Sequence, residues 1–171
     1  MSFEIMGFHN QKILSKLKKI KSFSQAQSIG CYYSIGSEVQ TNDLIKALLS
    51  EKKIVSLPQV CDDTMVFRRI EDITKLETGN FDIPEPKESC PIQETHDVIL
   101  VPCIGLDNNG NRIGYGYGFY DKYLSKNEST KIALTYSKQI VKSIPNSEHD
   151  VKMDWIVTCL LYTSPSPRDR G

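Results

Sequence analysis

The sequence predicts an α/β protein in which helices cover both faces of a mostly parallel sheet. Segments with strand-like and helix-like patterns alternate along most of the 171 residues. Residues 98–102 form a continuous apolar run, which is typical of a strand buried on both faces of such a sheet. Ligands of these sheets bind outside the carboxyl ends of the strands, so the loops that follow the strands are where a site is expected.

The first half of the chain supplies three helices and three strands to this pattern. Apolar residues at 13, 14, 17 and 20 recur at helical spacing among lysines and predict an amphipathic helix. Residues 29–35 predict a strand, and Thr41 predicts the N-cap of a helix with apolar positions 44, 45, 48 and 49. Residues 53–57 predict a strand that Pro58 ends. A further strand is predicted at 64–70, a short helix at 71–76 and a long surface loop at 78–90.

The second half continues the alternation after the strand at 98–102. Asn109-Gly110 is a strong turn signal within the loop 107–111. Patterning then predicts a helix at 119–125, a strand at 131–136, a helix at 137–144 that Pro145 ends, and a last strand at 153–158. Residues 160–171 have no periodicity, so we expect one domain over residues 1–159 followed by a disordered or appended, non-native tail.

Composition excludes several classes of protein. The 21 basic residues balance the 21 acidic ones, so no global field would hold the chain on nucleic acid or an anionic membrane. No apolar run approaches the roughly 20 residues that span a bilayer, and the start lacks a signal-peptide pattern. The five cysteines are odd in number and widely spaced, which favours buried thiols in a reducing compartment. We expect a cytoplasmic monomer with neither a nucleic-acid nor a membrane partner.

The segment 112–124 carries the strongest chemical signal. Gly114, Gly116 and Gly118 alternate, which lets the backbone approach a ligand and direct its N–H groups to one point ahead of a helix. The spacing matches neither the dinucleotide fingerprint nor the P-loop. A phosphate cradle and a flexible hairpin tip are both compatible with three glycines alone. Arg112 on one side can neutralise phosphate, and Asp121 on the other can hold a divalent ion.

Other candidate residues have both functional and structural interpretations. Asp150, with His149 and Asp154 nearby, is the best second carboxylate for a metal, but from the residues alone a helix or strand cap is the favoured interpretation of Asp150. Glu38 lies between a predicted strand and helix, where it can accept hydrogen bonds from a heterocycle or remain a solvated loop residue. The lysines of 12–21 indicate a solvated helix face, with an RNA-binding module as the weaker alternative.

Taken together, these residues resemble the 5-formyltetrahydrofolate cyclo-ligase family, also called methenyltetrahydrofolate synthetases. The family pattern is a strand-proline, here Val101-Pro102, followed by Arg-x-Gly-x-Gly-x-Gly-aromatic-Tyr-Asp, here residues 112–121. The similarity continues at residues 33–41, 57–58, 81–86, 139, 144–145 and 149–154, and covers roughly residues 28–158. It implies a three-layer α/β/α sandwich.

The resemblance also implies an activity and a set of site residues. The activity is the Mg²⁺- and ATP-dependent cyclisation of 5-formyltetrahydrofolate to 5,10-methenyltetrahydrofolate with release of ADP and phosphate, for which no protein nucleophile is needed. Arg112 and Tyr120 are the implied catalytic residues, and Asp121 and Asp150 the implied magnesium ligands. The implied ATP-binding residues are Arg112, Ile113, Gly114, Tyr115, Gly116, Tyr117, Gly118, Phe119 and Tyr120. The implied folate-binding residues are Tyr33, Glu38, Phe81 and Phe119.

One departure from the family concerns the amino-terminal region. Family members usually begin with a further helix whose Lys and Arg reach the ATP phosphates, and nothing before His9 matches it. We therefore expect a truncated amino-terminal helix. This leaves two hypotheses, an active cyclo-ligase and a catalytically impaired folate- or nucleotide-binding protein of the same fold.

Overall fold

The structure is a computed structural model that describes residues 3–36, 38–79, 82–103, 105–107, 112–113, 118–136, 140–141, 151–158 and 162–163. Its helices are α1 (Phe3–Leu17), α2 (Lys21–Ser24), α3 (Asn42–Ser50) and α4 (Phe119–Leu124), with one 3-10 turn at Ile73–Lys75. Its strands are β1 (Ser28–Gly30), β2 (Ile54–Cys61), β3 (Thr64–Ile70), β4 (Leu76–Thr78), β5 (Pro84–Pro86), β6 (Val98–Val101), β7 (Gly105–Asp107), β8 (Arg112–Ile113), β9 (Thr130–Leu134), β10 (Ile140–Val141), β11 (Trp155–Val157) and β12 (Tyr162–Thr163).

Seven strands form the central sheet in the order β12-β11-β9-β6-β1-β2-β3. The five inner strands, from β11 to β2, are parallel to their neighbours, whereas β3 and β12 pair antiparallel at the two edges. From β1 the chain passes first to β2 on one side, and later to β6 on the other. The carboxyl ends of β1 and β6 therefore form the switch point at which open α/β sheets bind their ligands.

Alternating side chains of the inner strands belong to two separate hydrophobic clusters. In β6, Val98 and Leu100 belong to the cluster that α1 and α3 cover, while Ile99 and Val101 belong to the cluster that α4 covers. All four side chains are fully buried. Because a strand turns successive side chains to opposite faces, this pattern requires a layer on each side. The predicted three-layer α/β/α sandwich with a mostly parallel sheet is confirmed.

The helix and strand boundaries agree with the sequence in several places. The predicted strand at 64–70 is β3, the predicted helix at 119–125 is α4, and buried Leu44, Ile45 and Leu48 line α3 as its periodicity indicates. The amphipathic helix around Ile13 and Leu17 is also present, but it begins at residue 3 and ends at residue 17. Within the described ranges, no helix combines the length and the apolar character that crossing a bilayer would require.

The expectation that Pro58 ends its strand is wrong. β2 continues to Cys61, although it pairs with β1 only as far as Ser56. The Ser56 carbonyl accepts a hydrogen bond from the Cys31 N–H at 2.9 Å, so Ser56 directs its backbone groups toward β1. Two residues later, Pro58 faces the same side, where β1 has already ended. The missing N–H of this proline therefore interrupts no ladder.

The predicted surface loop at 78–90 is also wrong in part, because β4 and β5 form a two-stranded antiparallel ribbon. Amides 79 and 87 donate to carbonyls 83 and 75 across this ribbon. Pro84 and Pro86 occupy the alternate positions, whose backbone nitrogens face away from β4. Glu85 between them is buried and accepts a hydrogen bond from the Val60 N–H at 3.0 Å. The prolines are therefore compatible with a strand.

Two further differences arise where a partner strand is available. Ile140–Val141, within the segment predicted as a helix at 137–144, forms β10 and pairs parallel to β7, which suits β-branched side chains. The rest of that segment lies outside the described residues. In the predicted tail, Tyr162–Thr163 pairs antiparallel with β11, because the edge of a sheet is a template for pairing with an extended segment. The domain boundary at 159/160 remains a prediction.

His96 is a buried histidine on the α4 face of the sheet. Its Nε2 shares a hydrogen bond with the Ser56 hydroxyl, and the Phe67 ring meets it edge-on with centroids 5.0 Å apart. Among the described residues, its Nδ1 has no hydrogen-bond partner. Burial lowers the pKa of His96 from 6.5 to about 4, and the negative charge of Asp97 opposes this shift. The imidazole is therefore neutral in the folded protein at neutral pH.

The depressed pKa of His96 predicts acid sensitivity. Between pH 6.5 and about 4 the unfolded chain binds a proton at His96 that the folded chain does not bind, so folding stability falls as pH falls through this window. We expect His96→Gln to lose less stability over the same window, by up to about 1.4 kcal/mol per pH unit. Urea unfolding followed by circular dichroism at pH 7 and pH 4.5 measures this. Equal losses in the two proteins would contradict the prediction.

Candidate active site

The candidate site lies at the carboxyl end of β1. Beyond Gly30 the chain enters the loop 31–41, which leads into α3. The sequence predicts a strand as far as residue 35, but β1 ends at Gly30. The Cys31 N–H still donates to the Ser56 carbonyl of β2, whereas the Tyr32 carbonyl accepts from the Thr41 hydroxyl of the loop. This shortening leaves Tyr33 and Glu38 at the switch point between β1 and β6.

Glu38 is held within its loop by short-range hydrogen bonds. Its Oε1 accepts from the Ile35 N–H at 2.9 Å, and its own N–H donates to the Ile35 carbonyl at 3.1 Å. The Tyr32 hydroxyl donates to the Val39 carbonyl at 2.8 Å. Glu38 is only 4% exposed, so it is not a solvated loop residue. A carboxylate in this setting is oriented by the loop itself.

A cavity of about 340 Å³ opens beside Glu38. Asn10 of α1 forms part of its wall, and the Asn10 Oδ1 accepts from the Gln40 N–H at 2.8 Å, which ties α1 to the loop. The lining residues are Asn10, Ser34, Ile35, Gly36, Glu38, Gln40, Asn42 and Asp43. This set holds two carboxylates, several amides and no cation. Such a lining suits a ligand with hydrogen-bond donors rather than a phosphate.

The second side of the site is the start of α4. Gly118 precedes this helix with φ +69°, a left-handed conformation that glycine adopts without strain. Phe119, Tyr120 and Tyr123 of α4 pack onto the cluster around Phe67, whose ring centroid lies 6.4 Å from that of Tyr120. Packing on the sheet therefore fixes where the glycine segment ends.

Tyr32 is buried at the start of the loop that carries Glu38. Burial raises the pKa of Tyr32 well above its ordinary value, and nearby groups that carry negative charge when ionised raise it further: Cys31, Glu38, Cys103 and Tyr120, in decreasing order. Glu38 of the first loop and Tyr120 of α4 are thus both near the same buried phenol.

Asp121 is half-buried on the first turn of α4. Its Oδ1 accepts a hydrogen bond from the Val151 N–H at 3.2 Å. Val151 directly follows Asp150 in the sequence, and Asp150 itself lies outside the described residues. Asp154 has a different role, because its Oδ2 accepts from the Lys131 N–H at 2.9 Å at the opposite, amino-terminal edge of β9. Within the described part of the chain, no three metal-ligating side chains cluster together.

Comparison with known proteins identifies the family. A family model described as the 5-formyltetrahydrofolate cyclo-ligase family matches residues 4–159. The chain belongs to this family. The family resemblance expected from the residues is therefore confirmed.

Individual relatives agree with this membership. The 5-formyltetrahydrofolate cyclo-ligase of Mus musculus is 31% identical over 151 residues, which cover 79% of this chain and 74% of the mouse protein. The cyclo-ligase of Haemophilus influenzae is 34% identical over 139 residues, which cover 75% of this chain and 74% of that protein. The solved structure of 5,10-methenyltetrahydrofolate synthetase from Aquifex aeolicus superposes with a TM-score of 0.85 at 29% identity, covering 96% of this chain and 85% of the other.

Within this cyclo-ligase fold, the structure describes only some of the predicted site residues. Tyr33 is half-buried against the α1/α3 cluster, and Glu38, Gly118, Phe119, Tyr120 and Asp121 are placed as above. The backbone of Arg112 and Ile113 forms β8, which pairs antiparallel with β7 across the predicted turn. The predicted residues that lie outside the described ones are Phe81, Gly114, Tyr115, Gly116, Tyr117 and Asp150.

Sequence reasoning missed four residues that shape the site of this cyclo-ligase family member: Asn10, Tyr32, Thr41 as a loop contact, and Asp43. Asn10 belongs to a helix distant in sequence, and no local pattern marks it. Tyr32 stands in an aromatic pair at the end of a predicted strand, which was a usable signal, since buried tyrosines usually find a partner for the hydroxyl. Asp43 lies in the first turn of a helix, where an acidic residue is commonplace.

The site contains a cysteine that is unsuited to nucleophilic chemistry. Burial raises the pKa of the Cys31 thiol to about 12, so only about one molecule in ten thousand carries the thiolate at pH 8. Iodoacetamide should therefore leave Cys31 unlabelled in the native protein while it labels the half-buried Cys61. Peptide mapping by mass spectrometry measures both, with labelling in urea as the control. Labelling of native Cys31 as fast as Cys61 would refute this assignment.

Proposed function

We propose that the protein catalyses the ATP-dependent cyclisation of 5-formyltetrahydrofolate to 5,10-methenyltetrahydrofolate, with ADP and phosphate as the other products. The observation that carries the proposal is family membership over residues 4–159, joined to the buried, oriented Glu38 beyond the carboxyl end of β1. A cytoplasmic monomer without nucleic-acid or membrane partners remains part of the proposal. The equal numbers of acidic and basic residues are consistent with it.

Folate recognition is proposed for the Glu38 side of the site. Glu38 and Asp43 give the cavity negative charge, which favours a ligand edge rich in N–H donors and disfavours a triphosphate. Tyr33 and Phe119 are proposed to border the folate, and Phe81 is proposed to add an aromatic face. Because Glu38 is already oriented by the Ile35 amide, little conformational freedom is lost when a folate binds.

ATP is proposed to lie along the segment from Arg112 to Tyr120. Arg112 brings the cation that phosphate requires, and the glycines of the segment leave its backbone open to close approach. The described ends of the segment, β8 and α4, are both fixed by pairing or packing. The proposed ATP-binding segment is therefore fixed at both of its ends.

Asp121 and Asp150 are proposed to hold magnesium against the phosphates. The residues fit this ion, because Mg²⁺ in such sites takes one or two carboxylates together with phosphate oxygens and water, and needs no cluster of three protein ligands. The hydrogen bond from Val151 orients the Asp121 carboxylate and brings the segment after Asp150 to it. Magnesium would supply charge neutralisation of the phosphates when bound.

The proposed chemistry needs positioning rather than a protein nucleophile. The formyl oxygen takes the γ-phosphoryl group of ATP and ADP leaves; N10 of the folate then attacks the formyl carbon, and the phosphate leaves with the former formyl oxygen. The protein must align two substrates, exclude water and balance phosphate charge. The raised pKa of Cys31 keeps its thiol protonated, which agrees with a mechanism that uses no protein nucleophile.

A turnover assay tests the proposed function. With ATP, magnesium and 5-formyltetrahydrofolate, the protein should produce the absorbance of methenyltetrahydrofolate at a rate that saturates with both substrates. Omission of ATP is the control. Saturable folate binding without any turnover would overturn the catalytic proposal and leave a binding protein of the same fold.

Substitution of Asp121 tests the magnesium proposal. Asp121→Asn removes the charge but keeps an oxygen that can accept from the Val151 N–H, so the fold should remain intact. We expect kcat to fall about 100-fold, and the magnesium concentration for half-maximal rate to rise. Asp63→Asn, in the exposed turn between β2 and β3, is the matched control. An unchanged rate at limiting magnesium rules out Asp121 as a ligand.

A further inference from the structure

Thr41 occupies the N-cap of α3 but does not cap it. Threonine at this position ordinarily accepts a hydrogen bond from an amide of the first helical turn. The Thr41 hydroxyl makes no such bond to the first turn of α3, all of which lies in the described part of the chain. Instead it donates to the carbonyl of Tyr32, nine residues earlier, at 2.5 Å. The side chain is fully buried, so this contact is not exchanged with water.

Ser34 makes a second tie between the same two chain segments. Its hydroxyl oxygen accepts from the Thr41 N–H at 3.1 Å, and its hydroxyl donates to the Asn42 Oδ1 at 2.9 Å. Residues 32–34 and 41–42 therefore lie side by side, and the intervening loop is closed at its base. Glu38 stands within this closed loop, with its carboxylate oxygen on the Ile35 amide.

A hydroxyl can donate one hydrogen bond and accept others, so the bond to the Tyr32 carbonyl would not by itself prevent capping of α3. The structure nevertheless shows only the bond to Tyr32 and no cap. That bond fixes the distance between the end of β1 and the start of α3. That distance determines the position of the Glu38 carboxylate in the cavity wall.

We propose that Thr41 is a positioning residue, whose hydroxyl holds the loop 34–41 closed so that Glu38 faces the folate. This inference rests on the proposed function, and specifically on the folate role of Glu38. Thr41 itself does not line the cavity. It acts through the loop geometry alone.

Two substitutions separate the hydroxyl from the bulk of the side chain. Thr41→Val keeps the volume and removes the donor, whereas Thr41→Ser keeps the donor. We expect Thr41→Val to raise KM and Kd for 5-formyltetrahydrofolate about ten-fold, while KM for ATP changes by less than about two-fold. Thr41→Ser should remain within about two-fold of the parent in every parameter. A merely structural threonine would alter both KM values alike, or only lower Tm, and either result overturns the proposal.

Coupling to Glu38 gives the decisive measurement. In a Glu38→Ala background, Thr41→Val should change the folate Kd by less than about two-fold, because the group it positions is gone. The full ten-fold loss in that background would overturn the proposal for Thr41 and leave the proposed function intact. A Glu38→Ala variant with unaltered folate binding would instead overturn the folate role of Glu38, and Thr41 would have nothing to position.

Control variants guard against loss of folding. Ser50→Ala removes a hydroxyl that donates to the Ala47 carbonyl at 2.7 Å at the far, exposed end of α3, and should leave both KM values unchanged. If Thr41→Val does not fold, Ser34→Ala is the substitute. It weakens the closure of the same loop, because it removes the acceptor of the Thr41 N–H. It should raise the folate Kd about three-fold in the parent and not in the Glu38→Ala background. Equal effects in the two backgrounds contradict the proposal.

Discussion

Closure of the chain between β1 and α3 is the constraint on which the candidate site depends. The Tyr32 carbonyl, the Ser34 hydroxyl and the Thr41 hydroxyl join the two ends of this loop, and Glu38 lies inside it. In a buried loop each polar group that loses its partner costs about 1–3 kcal/mol, so these bonds are interdependent. A carboxylate can remain at 4% exposure only because the loop supplies donors and a fixed shape.

The site joins two regions with opposite chemical preferences. The cavity beside Glu38 is acidic and rich in amides, whereas the sequence of the segment that begins at Arg112 contains an arginine and alternating glycines. Tyr32 lies near Glu38 and Tyr120, and its burial keeps the phenol un-ionised. The proposed function assigns the folate to the first region and the nucleotide to the second, so that neither substrate needs a covalent link to the protein.

The order of the sheet explains why these regions meet. β1 sits in the middle, with β2 on one side and β6 on the other, so the chain leaves its carboxyl end in one direction and returns to the neighbouring strand later. α4 packs on the cluster around Phe67 of the edge strand β3, which brings Tyr120 back over the same end of the sheet. Tyr32 and Tyr120, which are distant in the sequence, thereby lie near each other.

The sequence by itself determined the fold class, the bounds of β3, the buried face of α3 and the glycine segment, because hydrophobic period and turn chemistry are local. Only the tertiary structure decided that β2 runs through Pro58, that 140–141 forms a strand, and that the Thr41 hydroxyl turns away from its helix. Each of these depends on a partner distant in sequence: the end of β1, the edge of β7 and the Tyr32 carbonyl. A backbone or hydroxyl group has several nearly equivalent partners in a short segment, and the folded chain alone selects one.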